Sequence, residues 1–356
     1  MITISLCMIV KNEEKLLKRC LESVVDLVDE INIIDTGSTD TTIKIAKEYT
    51  DRVYPYKWNG HFADARNESF KYATKEYILY LDADDVIKEE DRTKFKKLKN
   101  ELPQDIDSVS MFYHAGLDAY GNVTLKYRRN RLVKRSKQYR WVGDVHNFLE
   151  VHGKVYNSTI AITHLKEKHA ASRNLNIYKE KLNRGDQFSA RDFFYYGNEL
   201  RENNLYLEAI QAYEKSIEHE NGWVEDKFYS CIFKADCLAQ IGKTLEQRNA
   251  LLQSLRFAKT PRPEMCCRLG DVYLKETDYI SAKYWYELSL VIPEDSNKWS
   301  FTYPAYSTWY PHLQLCICNF KLGKFKAFKV HNEKAAAYVP RHPAIEHNRK
   351  LLKNIA

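Results

Sequence analysis

The stretch LYLDADD at Leu79–Asp85 joins an apolar run, which begins at Tyr77, to three closely spaced carboxylates. The apolar residues predict a buried strand over Tyr77–Leu81, and the acidic residues begin where that strand ends. Carboxylates crowded into so short a loop repel one another, and a bound hard cation or protonation relieves the repulsion. The stretch therefore predicts either a Mg²⁺ or Mn²⁺ site at a strand end or an acidic loop that caps the next helix.

Two apolar segments earlier in the chain predict further strands, at Ile2–Val10 and Ile31–Ile34. Between them, apolar residues recur at helical spacing from Leu16 to Val28, with Asn12 as the expected N-cap. Strands that alternate with helices in this way predict a parallel sheet with right-handed crossovers. The first half of the chain is therefore expected to be an α/β domain with a Rossmann-like, mostly parallel sheet.

The polar residues that follow these strands are expected to meet at one edge of the sheet, because ligands of open parallel sheets bind beyond the carboxyl ends of the strands. They are Val10–Glu13, Asp35–Asp40 and Asp82–Asp85. Two later segments, Val109–Tyr113 and Val123–Tyr127, flank a turn and predict an antiparallel pair added to the sheet. The acidic loop is thus expected to lie in a cleft formed by three strand-end loops.

Strand patterns stop after about Ala170, and the rest of the chain is predicted to be helical. Small and aromatic residues recur there at matching offsets, in two strong copies and two weaker ones. The copies are Gly197, Ala209, Tyr213 and Ser216; Gly270, Ala282, Tyr286 and Ser289; Ala235, Gly242, Leu251 and Ser254; and Leu315, Gly323, Ala335 and Pro340. Such offsets are typical of tetratricopeptide repeats, whose paired helices cross closely at small residues, and the alternative is a non-repeating helical bundle. Residues 1–170 and 171–356 are therefore predicted to be an α/β domain and an all-α repeat domain.

Composition limits the class of protein. The chain has 356 residues and a net charge of +7, and it contains no apolar run near the roughly 20 residues that a membrane span needs. The apolar segment Met1–Val10 has no basic residues before it and no small-residue cleavage site after it, so we expect a cytoplasmic protein. The charge would suit nucleic acid or anionic ligands, but no nucleic-acid-binding motif accompanies it. The eight cysteines lack the spacing of a zinc site and are expected to be buried apolar residues.

Five segments, taken together, carry a resemblance to a known enzyme family. They are SLCMIVKNEE at Ser5–Glu14, IIDTGSTDTT at Ile33–Thr42, FADARN at Phe62–Asn67, LYLDADD at Leu79–Asp85 and WVGDVHN at Trp141–Asn147. In order, spacing and strand context they resemble family 2 glycosyltransferases of the GT-A fold. A branch of that family, with lipopolysaccharide-core glucosyltransferase-like proteins and transferases of bacteriocin peptides, also carries trailing tetratricopeptide repeats. The resemblance implies an inverting enzyme that moves a sugar from a nucleotide-diphosphate donor, such as a UDP-sugar, to a peptide, protein or glycan.

The resemblance also implies which residues bind the nucleotide. Asp35 would read the edge of the nucleobase, and Val10 and Asn12 would line the base pocket. Arg66 would contact the nucleotide. Asp82, the first acid of the Asp-x-Asp motif, would lie near the ribose. Together these five residues predict a donor cleft at the strand ends.

Binding of the metal and the diphosphate is implied for four further residues. Asp84 would bind Mn²⁺ or Mg²⁺, and His164 would contact the metal or the diphosphate. Arg128 and Arg131 resemble the arginines that precede the acceptor-side loop of relatives, and both are expected to help bind the donor. From the residues alone, His164 could instead be a hydrogen-bonded histidine at a domain junction, and the two arginines could be solvated strand residues.

The catalytic base is the point at which the sequence departs from the family. Relatives read Trp-x-Gly-x-x-His-Glu in the segment Trp141–Asn147, and Asn147 stands where they have the glutamate. An amide cannot take the acceptor's proton, so we favour Asp144 as the base, with His146 beside it and Glu150 as a further carboxylate. Three other interpretations stay open: a weak or inactive transferase, an acceptor that is already ionised, or a tetratricopeptide scaffold that binds a nucleotide sugar without turning it over. The repeats are also a candidate surface for a homodimer.

Overall fold

The structure, a computed structural model, describes residues 1–143, 145–165, 172–293, 295 and 298–355. Within these residues the chain forms two compact units. The first contains 1–118, 123–165 and 298–302, and the second contains 119–122, 172–293, 295 and 303–355. The domain boundary expected between residues 170 and 171 lies outside the described residues. The two units are not consecutive halves of the chain, because the segment 298–302 belongs to the first unit although it follows helices of the second.

The first unit is an α/β structure. Its strands are β1 (Ile4–Val10), β2 (Glu30–Asp35), β3 (Val53–Pro55), β4 (Tyr77–Tyr80), β5 (Asp85–Val86), β6 (Ser108–Leu117), β7 (Val123–Lys134), β8 (Arg140–Val142), β9 (Phe148–Glu150) and β10 (Val155–His164). Its helices are α1 (Leu17–Glu22), α2 (Thr42–Lys47), α3 (Phe62–Lys71) and α4 (Glu89–Glu101). Nearly every residue of β1 is buried, as its continuous apolar sequence requires of a strand covered on both faces.

Eight of these strands form one sheet in the described part of the chain, in the order β3-β2-β1-β4-β7-β6-β10-β5. β3, β2, β1 and β4 run parallel to one another, and β10 runs parallel to β6. β7 is antiparallel to both of its neighbours, and the two-residue β5 is antiparallel to β10. β8 and β9 pair separately. The mostly parallel α/β sheet is therefore confirmed, and the expected antiparallel pair is β6 with β7.

Two local predictions in this unit are wrong. The first helix ends at Glu22 instead of continuing to Val28, and residues 23–27 form turns. Asn12 does not cap that helix, because its backbone is left-handed, with a φ of 55°, and its side-chain oxygen accepts a hydrogen bond from the Thr39 N–H (2.8 Å). Asparagine adopts this conformation more readily than most residues. Asn12 therefore joins two strand-end loops.

The second unit is helical. Its helices are α5 (Ser172–Asn183), α6 (Ala190–Glu202), α7 (Tyr206–Glu218), α8 (Val224–Gln240), α9 (Thr244–Gln253), α10 (Pro263–Lys275), α11 (Tyr279–Val291), α12 (Trp309–Lys321), α13 (Phe325–Ala336) and α14 (Pro343–Ile355). Four helix pairs in the described residues, from α6–α7 to α12–α13, turn at a residue with a left-handed backbone. The four are Asn204 (φ 60°), Gly242 (75°), Thr277 (60°) and Gly323 (70°). Equivalent turns in successive pairs identify a tetratricopeptide-like array. Among the described helices, none has the length and apolar character needed to cross a bilayer.

In the two strong copies an aromatic ring lies against a glycine of the facing helix. A Cβ added to Gly197 would lie 2.6 Å from the Tyr213 ring, and a Cβ added to Gly270 would lie 2.6 Å from the Tyr286 ring. The Tyr213 hydroxyl also donates to the Asn198 side-chain oxygen (2.8 Å), which fixes the ring at the crossing. The small residues recognised in the sequence are therefore needed where the helices of a pair meet.

The connection between α11 and α12 contributes the segment 298–302 to the first unit. Thr302 donates its N–H to the carbonyl of Lys126 (2.8 Å) and accepts the Lys126 N–H (2.9 Å). The Phe301 ring lies edge-on to Tyr127, with ring centroids 5.4 Å apart. These contacts support β7 from residues far along the chain, so the first half expressed alone would lack them.

Gly197→Ala is expected to destabilise the second unit by about 1–3 kcal/mol, because the added methyl overlaps the Tyr213 ring and this outweighs the better helix propensity of alanine. The next helix pair, α8–α9, suggests a compensating change, since the positions that correspond to Gly197 and Tyr213 hold Ala235 and Leu251 there. The double variant Gly197→Ala/Tyr213→Leu should therefore recover part of the loss. Urea unfolding followed by circular dichroism measures both effects, and a single variant as stable as the parent would contradict the close crossing.

Candidate active site

The loops that follow β1 and β2 are joined by hydrogen bonds. The carbonyl of Val10 accepts the Thr36 N–H (3.0 Å), and the Asn12 N–H donates to the Ser38 hydroxyl (2.9 Å). Together with the bond from the Thr39 N–H to Asn12, these contacts hold both loops at the carboxyl edge of the sheet. The residues predicted to form the base pocket are therefore neighbours in the structure.

Asp35 ends β2 and is 6% exposed. Its carboxylate accepts the backbone N–H groups of Gly37 (3.0 Å) and Ser38 (3.1 Å). Gly37 has a φ of 102°, which other residues adopt only with strain, so glycine is needed to turn the loop back onto the carboxylate. The contact of Asp35 with a nucleobase stays a prediction, and a substitution there would also loosen its own loop.

Three of the recognised segments meet at Arg66. Its guanidinium forms a 2.5 Å ion pair with Asp82 and lies 4.7 Å from the centroid of the Trp141 ring. The side-chain amide of the adjacent Asn67 accepts the backbone N–H of Trp141 (2.8 Å) and donates to the backbone carbonyl of Trp141 (3.1 Å). The helix α3, the loop after β4 and the strand β8 are therefore held together around one arginine.

Asp82 is ionised and paired with arginine. Burial raises its pKa, but the guanidiniums of Arg66, Arg131 and Arg129 lower the pKa by more than burial raises it. The pKa therefore lies well below the usual range of an aspartate. Its nearest charged partner is Arg66 rather than the other acids of the loop. This position separates Asp82 from the residues that could hold a metal.

The other two acids of the loop lie beside His164. Strand β5 pairs with the end of β10 and sets His164 opposite Asp85. His164 Nδ1 lies 3.2 Å from Asp84 Oδ1 and 3.5 Å from Asp85 Oδ1. One ligand atom from each residue lies within 4.8 Å of the other two. Asp85 therefore joins the two residues that the sequence analysis selected as metal ligands, and the signal for it was its place as the third acid of the loop.

This donor set fits a divalent cation. Asp85 Oδ1 and His164 Nδ1 are buried and make no well-aligned hydrogen bond within the described part of the chain. A buried polar atom without a well-aligned hydrogen bond is costly even beside an opposite charge, and a cation bound by both atoms would remove that cost. Two carboxylates with one imidazole suit Mn²⁺ better than Mg²⁺, which prefers oxygen ligands and retains several waters.

The charge of His164 depends on these carboxylates. Burial lowers its pKa, but the neighbouring Asp84 and Asp85 raise it more, to about 9. Without a cation the imidazole is therefore protonated at neutral pH and balances the acidic pair. A metal ion would have to displace that proton in order to bind His164 Nδ1.

Arg131 is enclosed by protein beside Asp85. Its side chain is fully buried, forms a 3.1 Å ion pair with Asp85 Oδ2, and donates to the Tyr80 carbonyl (3.2 Å). Asp85 Oδ2 also accepts the Asp82 N–H (3.0 Å). Arg131 therefore orients Asp85 so that its other oxygen lies near His164. The contact of Arg131 with the donor stays a prediction, and in this structure the guanidinium is enclosed by protein.

Arg128 lies on the opposite face of β7, since successive strand residues alternate between faces. Its guanidinium lies 4.0 Å from the centroid of the Phe112 ring and donates to the Ser158 carbonyl (2.9 Å). The next residue, Arg129, lies instead over the Tyr113 ring at 4.7 Å, on the side of the acidic loop. The contact of Arg128 with the donor stays a prediction, and Arg129, which had no role in the sequence analysis, is the arginine of this pair on the side of the acidic loop.

The segment predicted to supply the base is described in part. Asp144 lies outside the described residues. His146 and Asn147 are half-buried just before β9, and Gly143, just after β8, has a φ of 94°. Glu150 is exposed on β9. The roles of these residues in proton transfer stay predictions.

Because the pKa of His164 is raised in the folded chain, the free energy of unfolding should depend on pH when EDTA keeps metal ions away from the site. The folded state favours the imidazolium, so this stabilisation is complete below about pH 6.5 and is lost as the pH rises through about 9. In EDTA the free energy of unfolding should fall by on the order of 2 kcal/mol across this range through His164.

Urea unfolding at several pH values measures this change, and His164→Gln should remove it. His347→Gln, at an exposed histidine of α14, is the matched control and should leave the slope of the parent unchanged. An identical pH dependence in the parent and in His164→Gln would contradict the charge assigned to His164.

Comparison with known proteins supports the family resemblance. A family model described as "Glycosyl transferase family 2" matches residues 5–165. The SPbeta prophage-derived glycosyltransferase SunS of Bacillus subtilis is 30% identical over 261 residues, which cover 69% of this chain and 60% of that protein. A TPR repeat-containing protein of Synechococcus elongatus is 48% identical over 85 residues, which cover 24% of this chain and 21% of that protein.

The chain thus spans 60% of the length of the curated relatives that it matches first. Among solved structures, glucosyl-3-phosphoglycerate synthase from Mycobacterium tuberculosis in complex with Mg²⁺ and uridine-diphosphate aligns at a TM-score of 0.37 and 16% identity, over 53% of this chain and 82% of that one. At that score the likeness is distant, so the assignment depends on the family match. The chain thus contains a glycosyltransferase family 2 domain at residues 5–165, and a tetratricopeptide-like helical region follows this domain.

Proposed function

We propose that the chain is a metal-dependent glycosyltransferase that takes a sugar from a nucleotide-diphosphate donor, a UDP-sugar, and transfers it with inversion to a peptide, protein or glycan. The observation that carries the proposal is the cluster of Asp84, Asp85 and His164 beside the ion pair of Arg66 and Asp82. A nucleotide-diphosphate donor needs both parts, since its phosphates require a cation and its nucleoside requires polar partners.

Asp84 and His164 are the proposed ligands of Mn²⁺ or Mg²⁺, with the free oxygen of Asp85 as a third. A cation held by these residues would stabilise the negative charge that develops on the leaving diphosphate. Arg131 pairs with the other oxygen of Asp85 and holds this carboxylate in position before any cation arrives. Such preorganisation lowers the cost of assembling the site during the reaction.

The nucleoside is assigned to the loops after β1, β2 and β4. Val10, Asn12 and Asp35 form the base pocket, and Asp82 contacts the ribose. The hydrogen bonds between the first two loops support this assignment, because they hold these residues at the same edge of the sheet as the acidic cluster. Arg66 keeps Asp82 ionised and so prepares it to accept hydrogen bonds from hydroxyl groups.

Asp144 is the proposed catalytic base. Inversion requires a group that takes the proton from the acceptor as its oxygen attacks the anomeric carbon opposite the leaving diphosphate, through a transition state with oxocarbenium character. Asn147 occupies the position of the family's glutamate and cannot perform this step. We propose His146 as a residue that supports the base, from its place in the WVGDVHN segment two residues before β9.

Asn147 also favours a second candidate function. A tetratricopeptide protein that binds a nucleotide sugar but turns it over slowly or not at all would have no use for a base. It would still need the acidic cluster and the Arg66–Asp82 pair, so nucleotide binding does not separate the two functions. Transfer of the sugar does.

Asp84→Asn is expected to abolish the metal dependence of donor binding, because it removes one carboxylate ligand while keeping the size of the side chain. Calorimetric titration of UDP with Mn²⁺ and with EDTA measures this, and the affinity of the variant in Mn²⁺ should fall to that of the parent in EDTA. Asp105→Asn, at an exposed aspartate that pairs with Lys154, is the matched control and should bind UDP as the parent does. Equal UDP affinity of the parent in Mn²⁺ and in EDTA would refute the metal role.

Asp144→Asn is expected to reduce sugar transfer by roughly a hundredfold or more while leaving UDP binding intact, because the variant loses only the base. Glu150→Gln should have a smaller effect. The opposite substitution, Asn147→Glu, tests the second candidate function, since a chain that has merely lost its base should gain transfer sharply when the carboxylate is restored. A large gain in Asn147→Glu, together with full activity of Asp144→Asn, would refute the assignment of Asp144.

A further inference from the structure

Arg129 is held between two aromatic rings on the side of β7 that faces the acidic loop. Its guanidinium lies 4.7 Å from the centroid of the Tyr113 ring and 5.4 Å from that of Tyr127. Arg131 also packs on Tyr113, at 4.7 Å, so both arginines lie on the same face of the strand. Such stacking fixes a planar guanidinium without using its N–H groups.

The two rings connect Arg129 to the acidic cluster and to the segment 298–302. Tyr113 packs against His164, with ring centroids 5.5 Å apart. Tyr127 packs against Tyr113 at 5.4 Å and against Phe301 at 5.4 Å. Arg129 is thus supported from both sides, and its position relative to His164 is set by one shared ring.

The donors of Arg129 have no acceptor within the described residues, in contrast to those of its neighbours. Arg66 pairs with Asp82, Arg131 pairs with Asp85, and Arg128 donates to a backbone carbonyl. Arg129 makes neither a hydrogen bond nor an ion pair in the described part of the chain, and its side chain is partly exposed. A guanidinium that is fixed in position, partly open and without an acceptor is suited to an anionic ligand with oxygens in a plane.

We propose that Arg129 is a phosphate-binding residue that contacts the diphosphate of the donor from the side of Tyr113 and Tyr127. The inference rests on the proposed function and adds to it a cation that belongs to the chain itself. The fork of N–H groups can donate to two phosphate oxygens, and its charge stabilises the leaving diphosphate. Because the rings already hold the side chain, little conformational entropy is lost when the ligand binds.

The test compares ligands with and without phosphates. A panel of ADP, CDP, GDP, UDP and dTDP in Mn²⁺ first identifies the diphosphate that the parent binds most tightly. Arg129→Gln should bind that diphosphate about tenfold or more weakly. Its affinity for the matching nucleoside, measured by ligand-observed NMR, should be unchanged. Arg129→Lys should bind the diphosphate with an affinity between those of the parent and Arg129→Gln, because lysine keeps the charge but lacks the planar fork of N–H groups.

Arg135→Gln is the matched control, since it removes one positive charge from an exposed side chain just past the end of β7, near the start of β4. Equal diphosphate affinity of the parent and Arg129→Gln would overturn the inference alone, as would an equal loss for the diphosphate and the nucleoside. If the parent binds none of the five diphosphates, the proposed function fails and the inference fails with it. Thermal unfolding of each variant establishes whether it is folded. If Arg129→Gln does not fold, the diphosphate affinity of Arg129→Lys tests the inference instead.

Discussion

The ion pair between Arg131 and Asp85 is the interaction on which the candidate site depends, and neither side chain is exposed to solvent. Removing two charges from water costs several kcal/mol for each, and their attraction offsets this only with good geometry and further hydrogen bonds. The Asp82 N–H supplies one such bond to Asp85. The pair ties β7 to β5, and the pairing of β5 with β10 then fixes His164 opposite Asp85.

The sequence was sufficient to locate this site along the chain but not to orient its side chains. LYLDADD and the loops after β1 and β2 lie at one edge because parallel strands end on the same side, and this rule needs no coordinates. The three arginines of β7 could not be sorted in this way. The pairing of β6 with β7 shifts register between Val109 and Ser110, which leaves Arg131 without a direct partner on β6. A bulge of this kind has no reliable sequence signal, so the sequence did not show that Arg131 is buried against Asp85 or that Arg129 shares its face of the strand.

Local periodicity explains which other predictions succeeded. The repeat offsets were visible because each glycine and its tyrosine are close in the chain and recur in successive copies. The segment 298–302 was not visible, since its partner Lys126 is far away in sequence and a backbone hydrogen bond leaves no residue pattern. The end of α1 was also missed, because its apolar residues continue at helical spacing into turns that pack in the same core. Tertiary contacts of this kind override local preference.

The charges of the site suggest why metal and donor should bind together. Each carboxylate of the acidic loop lies beside a cationic group: Asp82 beside Arg66, Asp84 beside His164, and Asp85 beside both Arg131 and His164. Without a cation the cluster is therefore balanced, which lets three acids share one short loop. If a divalent cation were held there in place of the proton of His164, the net charge of the cluster would rise by one, and Arg129 contributes a further positive charge that has no acceptor in the described residues. A diphosphate neutralises this excess, so each ligand should favour the binding of the other, and by linkage the effect is reciprocal.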